Sequence, residues 1–223
     1  MHNHSPILCI IPPHMLKQIA MKGTTAQREY ALLTMKDSAQ MRGQRAMMAD
    51  FSPAAFRVVS GVKDRIVYDA RNGSSLPGTA VRRENDPPSS DVTVNEAFDG
   101  SGATYDLFND VYGRNSIDGE GMRLDSTVHY RVGYDNAFWD GQQMVYGDGD
   151  ENLPVDERLF NRFTIAIDIM GHELTHGVTQ FEAKLVYSQQ PGALNEHMSD
   201  VFGSLVKQHQ RGHSASQADW IIG

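Results

Sequence analysis

The sequence lacks disulfide potential, long apolar runs and an excess of positive charge. Cys9 is the single cysteine, so no internal disulfide can hold the fold. The start, residues 1–4, has no basic region, and the apolar run 7–11 is too short for the core of a secretory signal peptide. No stretch is long and apolar enough to predict a transmembrane helix. We therefore expect a cytoplasmic protein, or one exported without a recognisable signal peptide.

The formal net charge of -8 argues against nucleic-acid and anionic-membrane partners, since both require a basic face. The charge is unevenly distributed along the chain. Residues 1–50 carry six Lys/Arg and three Asp/Glu, whereas residues 51–223 carry fourteen and twenty-five. The two parts should therefore attract each other.

Length and pattern predict one α+β unit with an N-terminal extension. At 223 residues and 40% apolar content, the chain can bury one sizeable core. Strand composition is found at 56–70, 126–132 and 143–146, and helical patterns at 24–45, 95–112, 158–180 and 191–210. Strands before helices predict a twisted, mostly antiparallel sheet followed by the helices that carry the site.

Residues 5–16 differ from the rest of the N-terminal extension. Pro12-Pro13 predicts an extended strap there, because paired prolines fix the backbone and remove donors. The helix that follows is predicted to present Tyr30, Leu33 and Met41 on its apolar face.

The strongest chemical signal is His172-Glu173-Leu174-Thr175-His176. Two histidines four apart on a helix can reach one zinc ion, and the glutamate between them can take a proton from metal-bound water. The pentapeptide also occurs by chance, and the alternative is a helix with two polar surface histidines. An apolar stripe at helical spacing is formed by Phe163, Ile167, Met170, Leu174 and Val178. This stripe favours the metal site, because it leaves both histidines on an adjacent face.

A candidate for the third metal ligand lies 20 residues after His176, in the next predicted helix. Glu196 and Asp200 are also four apart, beside a predicted core stripe of Leu194, Met198, Val201 and Leu205. Glu196 can complete the zinc coordination, and Asp200 can accept a hydrogen bond from a ligand histidine and fix its tautomer. The alternative is an ordinary solvated acidic face.

These motifs together resemble the thermolysin-like zinc metalloproteases. The resemblance spans roughly residues 65–223 and includes the stretch from Tyr134 through Asn136, Ala137 and Gly141 to Asp150. The short N-terminal part around Cys9 resembles the propeptide of the protealysin-like subgroup.

The resemblance implies a role for each matching residue. His172, His176 and Glu196 match the zinc ligands, Glu173 the catalytic base, and Asp200 the acid behind a ligand histidine. Two further groups also match. They are the substrate-binding pair Asn136 and Ala137 and the oxyanion-stabilising Tyr187.

Two departures from the family pattern matter. The family continues into a helical domain with a transition-state histidine, and neither His209 nor His213 stands in that context. We therefore expect the C-terminal helical domain to be largely absent and the activity of this chain to be low. Asp168 matches a carboxylate of the family's calcium site, but Lys207 and Ile221 stand where further carboxylates are expected. Calcium is therefore doubtful, and Lys207 is predicted to pair with Asp168.

The domain prediction is an inhibitory segment at 1–50, cleaved near 46–51, and a catalytic unit, the N-terminal half, at 51–223. Cys9 can serve as a fourth zinc ligand or be a small buried hydrophobe, and both readings stay open. His14 is a weaker candidate for the same position.

The predicted function is hydrolysis of internal peptide bonds in peptide or protein substrates. The chain's own propeptide is the predicted partner in cis. The alternatives are an inactive zinc-binding protease fragment or interaction module, and a structural zinc site, which would need a fourth protein ligand.

Overall fold

The structure, a computed structural model, describes the backbone of residues 10–48, 62–185 and 189–223, and the side chains in these ranges except 42–48. Within these ranges the helices are α1 (Pro13–Lys22), α2 (Thr25–Met48), α3 (Val92–Tyr112), α4 (Ile167–Glu182) and α5 (Gln189–Arg211). The strands are β1 (Arg65–Asp69), β2 (Thr79–Arg83), β3 (Leu124–Val128), β4 (Ala137–Trp139) and β5 (Met144–Tyr146). Cys9, Tyr187, the predicted strand residues 56–61 and part of the predicted cleavage region lie outside the described residues.

The described strands form one sheet in the order β2-β1-β3-β5-β4. β1 pairs antiparallel with β2, and β4 pairs antiparallel with β5, whereas β3 is parallel to both β1 and β5. The α+β class is confirmed, but the sheet is mixed rather than mostly antiparallel. The physical reason is that the long helix α3 lies between β2 and β3 in the chain, and such a crossover brings β3 back parallel to β1.

The helix starts depend on capping and on long-range contacts. α3 begins three residues before the predicted start, because the Asp91 side chain accepts a hydrogen bond from the backbone N–H of Thr93. α4 begins at Ile167 rather than 158. The backbone N–H groups of Leu159 and Phe160 donate to the Asp150 carboxylate instead of entering a helix.

The main core lies between the sheet and helices α3 and α4. It includes Val67, Phe98, Leu124, Trp139, Met144, Met170 and Leu174, all buried. The predicted apolar stripe of α4 is confirmed, since Met170 and Leu174 belong to this core, and Phe163, Ile167 and Val178 pack in it or against it. The core therefore holds α4 with one face against the sheet.

The N-terminal part is more helical than predicted. Residues 10–12 precede the first helix, but α1 begins at Pro13, because proline is tolerated at the first helical position. α2 confirms the predicted helix, but its most buried residues are Gln27, Ala31, Thr34 and Ser38. Of the predicted apolar face, Tyr30 and Met41 are half-buried and Leu33 is exposed. The face of α2 that meets the rest of the protein is thus mostly polar.

Among the described residues, no helix combines the length and the apolarity that a membrane span requires.

Candidate metal centre

The two predicted ligand histidines lie one turn apart on α4 and are almost completely buried. His172 and His176 are each 1% exposed, and their Nε2 atoms lie 3.1 Å apart. The core stripe of α4 faces the sheet, so the histidines are directed towards α5. The helical spacing alone therefore brings both imidazoles to one point.

Helix α5 approaches α4 very closely, because small residues line the contact. A Cβ atom on Gly203 would lie 2.5 Å from the carbonyl oxygen of Asp168 and 3.0 Å from the backbone nitrogen of His172. The predicted apolar stripe of α5 is not its buried face. Leu194 is 48% exposed, while the buried positions include Gly192, Asn195, Ser199, Gly203 and Val206.

Glu196 on α5 completes the cluster that was predicted from the sequence. Its Oε2 lies 3.4 Å from His172 Nε2, and its Oε1 lies 3.6 Å from His176 Nε2. One ligand atom from each of the three residues falls within 4.8 Å of the others. The structure thus brings together all three predicted metal ligands.

Nδ1 of each imidazole, the ring nitrogen that faces away from the cluster, is hydrogen-bonded to residues of α5. His172 Nδ1 lies 2.8 Å from Asp200 Oδ1, as predicted. His176 Nδ1 lies 2.8 Å from Asn195 Oδ1 and 2.9 Å from Ser199 Oγ. Since carboxylate and amide oxygens are acceptors, each Nδ1 donates, and this leaves each Nε2 as the ring nitrogen that can offer a lone pair to a metal. The roles of Asn195 and Ser199 were missed, although both share the helical face of Glu196.

The donor set fits a divalent zinc ion. Three lone-pair donors, two nitrogens from buried histidines and one half-exposed carboxylate, converge on one point, which is the donor set typical of a catalytic zinc site. Burial opposes protonation of His172, but the carboxylates of Asp200 and Glu196 outweigh it and raise the pKa of this histidine to about 10. The pKa of Glu196 is raised by burial, with His172 opposing. The pocket therefore attracts positive charge.

Glu173 is buried beside the two histidines. Its Oε2 accepts a hydrogen bond of 3.1 Å from the backbone N–H of Trp139, the last residue of β4. Tyr146 on β5 is also buried, and its pKa is raised by burial and then by the charge of Glu173. The end of the sheet thus fixes the carboxylate next to the metal ligands.

Asn136 and Ala137, the predicted substrate-binding pair, lie at the start of β4 and are buried. The Asn136 side chain makes two hydrogen bonds with the backbone of Ile11: Ile11 N–H donates to its Oδ1 at 3.0 Å, and its Nδ2 donates to the Ile11 carbonyl at 3.2 Å. β4 is at the edge of the described sheet. The backbone just before α1 therefore occupies this edge.

The remaining predicted residues lie away from the cluster or outside the described residues. Lys207 Nζ lies 2.9 Å from Asp168 Oδ2, as predicted, and also 3.0 Å from Asp219 Oδ1 and 3.0 Å from the Ile221 carbonyl oxygen. His14 is exposed on α1. His209 lines a surface cavity of about 430 Å³ that also includes Lys63, Arg65 and Asp106. Neither histidine belongs to the cluster.

The fold and the site together define the class. A buried His-x-x-x-His pair on one helix, a carboxylate from a second helix and a glutamate beside them are the arrangement of zinc metallopeptidases. Comparison with known families agrees. The model of the thermolysin metallopeptidase catalytic domain matches residues 34–180, and that of the thermolysin metallopeptidase alpha-helical domain matches residues 183–223. The chain belongs to the thermolysin metallopeptidase family.

Three similar proteins match almost the whole of this chain. An extracellular metalloprotease of Pectobacterium carotovorum subsp. carotovorum is 47% identical over 221 residues, 98% of this chain and 60% of the relative. Protease PrtS of Photorhabdus sp. (strain Az29) is 42% identical over 216 residues, 96% of this chain and 57% of the relative. The solved precursor of protealysin, a metalloproteinase from Serratia proteamaculans, matches with a TM-score of 0.81 and 47% identity, covering 96% of this chain and 60% of that one.

The chain thus spans about 60% of the length of these relatives. The match to the catalytic-domain model starts at residue 34, inside α2, so it does not test the predicted boundary after residue 50. The match to the alpha-helical domain model includes all of α5. Glu196 therefore comes from a different matched unit than His172 and His176.

Proposed function

We propose that this protein is a zinc-dependent endopeptidase whose metal is held by His172, His176 and Glu196. The observation that carries this proposal is the convergence of three lone-pair donors within 4.8 Å, with both imidazoles oriented from behind by α5. When bound, zinc polarises the scissile carbonyl and activates water. The thermolysin family to which the chain belongs makes peptide bonds the substrate class.

Glu173 is the general base in this proposal. Its carboxylate is fixed by the Trp139 N–H and lies on the same helix as the ligands, so it can accept a proton from water and pass it to the leaving amine. Burial excludes bulk water from this carboxylate. Tyr187 is proposed to stabilise the oxyanion, by the family resemblance.

Asn136 and Ala137 are proposed to bind the substrate backbone by strand addition at β4. The two hydrogen bonds between Asn136 and Ile11 support this role, because an extended peptide offers the same N–H and carbonyl groups. Such binding does not depend on the side chains of the substrate. Specificity is then decided elsewhere in the cleft.

We propose that residues 1–50 inhibit the enzyme in cis. Ile11 occupies the edge at Asn136, and α2 is held to the rest of the protein by buried polar contacts, so a substrate cannot use the same edge. Cys9 as a zinc ligand and Cys9 as a small hydrophobe remain two versions of this proposal. Cleavage is expected near 46–51.

The proposal also covers calcium binding, the cellular location of the protein and the rate of hydrolysis. Lys207 places an ammonium among three oxygen atoms, so we propose that it replaces calcium at Asp168. The relative from Pectobacterium is described as extracellular, which favours export over a cytoplasmic location. Slow hydrolysis by these 223 residues is also expected, since neither His209 nor His213 lies at the cluster.

The test compares Glu173→Gln with His172→Ala after removal of the N-terminal segment. We expect Glu173→Gln to retain zinc and lose at least about 100-fold in peptide hydrolysis, because general-base catalysis contributes roughly that much. His172→Ala should lose the zinc itself. His197→Ala is the matched control, since this exposed histidine is next to Glu196.

Two results would contradict the assignment. Loss of zinc from Glu173→Gln would make Glu173 a ligand. Equal, negligible hydrolysis by the parent and Glu173→Gln, with zinc bound to both and with the family's helical domain supplied after Gly223, would favour the inactive zinc-binding protein.

A further inference from the structure

Two buried carboxyl groups outside the metal centre face each other without a compensating charge. Asp135 is 1% exposed and Asp150 is 0% exposed. Neither oxygen of Asp135, nor Oδ1 of Asp150, receives a hydrogen bond from a described N–H or hydroxyl group. Asp150 Oδ2 accepts from the backbone N–H of Leu159 at 2.8 Å and of Phe160 at 3.3 Å. Three oxygens of the pair are thus unsatisfied by the described residues.

Cationic side chains in the neighbouring loop are engaged elsewhere. Arg162 binds Glu96 and Glu151, and Arg158 donates to backbone carbonyl groups. Two ionised carboxylates this close in a buried place strongly disfavour each other. Burial, followed by the charge of Asp150, raises the pKa of Asp135 to about 8. A proton held between the two groups satisfies both the charge and one pair of oxygens.

The acid pair lies directly behind the surface that holds α2. The backbone N–H of Asp135 donates to Thr34 Oγ1 at 3.0 Å, and the hydroxyl of Tyr134 lies 3.2 Å from Ser38 Oγ. On the side of Asp150, Asn152 Nδ2 donates to the hydroxyl of Tyr30. Both loops that carry the pair therefore also carry contacts of α2.

We propose that Asp135 and Asp150 share one proton while α2 is docked, and that loss of this proton releases α2. To reach water, an ionised pair must shift the loops at 134–136 or 148–152, and either shift breaks contacts of α2. The consequence for latency rests on the proposed inhibitory role of residues 1–50. The pH-dependent docking of α2 does not depend on that role.

The sign of the pH dependence follows from the direction of the shift. The docked state raises the pKa of Asp135 above its ordinary value near 4, so docking is strongest below that value. It weakens as the pH rises from about 4 to about 8, where the pair ionises even when docked. Each unit of pKa difference between docked and released states corresponds to about a tenfold change in docking.

The other ionisable groups at this surface either weaken docking as the pH rises, as the acid pair does, or titrate above pH 8. Asp37 on α2 ion-pairs with Arg131 at 2.8 Å, and burial raises its pKa against the opposing charges of Arg131 and Lys36. His129 lies between Asp148 and Asp91, and its hydrogen bond to Asp148 raises its pKa to about 9. Measurements below pH 8 therefore leave His129 charged.

The experiment measures amide hydrogen exchange of α2 peptides by mass spectrometry in the full chain carrying Glu173→Gln, which prevents self-cleavage. We expect protection of α2 to fall by about tenfold or more between pH 5 and pH 8. Asp135→Asn, whose amide is neutral and can donate to Asp150, should remove most of this fall, with only the contribution of Asp37 left. Comparison of variants at one pH cancels the intrinsic pH dependence of exchange.

Asp156→Asn is the matched control, because Asp156 is exposed on the same loop, and it should behave like the parent. Asp150→Asn provides a second neutral pair if Asp135→Asn does not fold. Protection in the parent that does not change with pH, or variants that follow the parent, would overturn the proposal. Restoration of α2 protection at pH 8 by calcium, reversed by a chelator, would replace the proton with a cation. Activity does not enter the readout, so a failure of the proposed enzyme function is detected separately.

Discussion

The α4–α5 pair and the docking surface of α2 are both buried and both polar, but different contacts hold them. Between α4 and α5, every polar contact of the cluster joins positions 172 and 176 to positions 195–200. α2 instead contacts residues 96 to 130 positions away: Thr34 accepts a hydrogen bond from Asp135, Ser38 is hydrogen-bonded to Tyr134, and Gln27 donates to the carbonyl of Glu157 at 2.7 Å. A metal can tie the first region together, whereas the second depends on separate hydrogen bonds and one ion pair, Asp37 with Arg131. The first region should therefore be rigid and the second releasable.

Replacing Lys207 should have the largest effect on stability, because it removes an ion pair that joins α4 to α5. Lys207→Met leaves Asp168, which is 1% exposed, without its charged partner, and we expect a loss of about 3 kcal/mol in the free energy of unfolding. Denaturant unfolding measures this change in the free energy of unfolding. Lys17→Met, on the exposed side of α1, is the control and should change little.

The parent chain, with Lys207 in place, tests the calcium proposal. Added calcium should leave the Tm of the parent chain unchanged, since the ammonium already occupies the oxygen atoms around Asp168. Two calcium ions bound to the parent, found by metal analysis, would contradict it.

Removing the groups behind the histidines should have an intermediate effect. Asn195→Ala leaves His176 Nδ1 with the Ser199 hydroxyl alone, and we expect zinc affinity to fall by about 10- to 100-fold. Asp200→Ala should cost less, because the side chain of Asp200 is 53% exposed and water can replace it. Competition with a chelator gives both affinities. A larger loss of zinc affinity in Asp200→Ala than in Asn195→Ala would show that the contact behind His172 matters more than the contacts behind His176.

A single hydrogen bond at the α2 surface should have the smallest effect and should leave the metal centre untouched. Thr34→Val keeps the shape of the side chain but removes the acceptor for the buried Asp135 N–H, and we expect docking to weaken by about 1 to 2 kcal/mol. Hydrogen exchange of α2 measures the change, with the exposed Leu33→Ala as control. If Thr34→Val also lowered zinc affinity, the two regions would be coupled and the contrast between them would be lost.

Hydrophobic periodicity predicted where most helices lie, but in two of them the most buried face is not the predicted apolar face. In α4 the stripe with Met170 and Leu174 is the buried face, because this helix packs on an apolar sheet. In α5 and α2 the apolar positions Leu194 and Leu33 are exposed. Their buried faces carry small and polar residues that satisfy one another across the contact, and such pairing leaves no periodic apolar signal.

The sequence by itself determined the candidate metal centre, because the predicted ligands lie in two segments where helical spacing fixes the geometry. His172 and His176 project together, and Glu196 and Asp200 do the same on the next helix. Tertiary structure alone decided the mixed sheet, the close approach of α5 at Gly203, the contact of Ile11 with Asn136 and the meeting of Asp135 with Asp150. These features join different segments of the chain through a few contacts each. No repeat or spacing encodes such contacts, and they follow only from how the core brings the loops together.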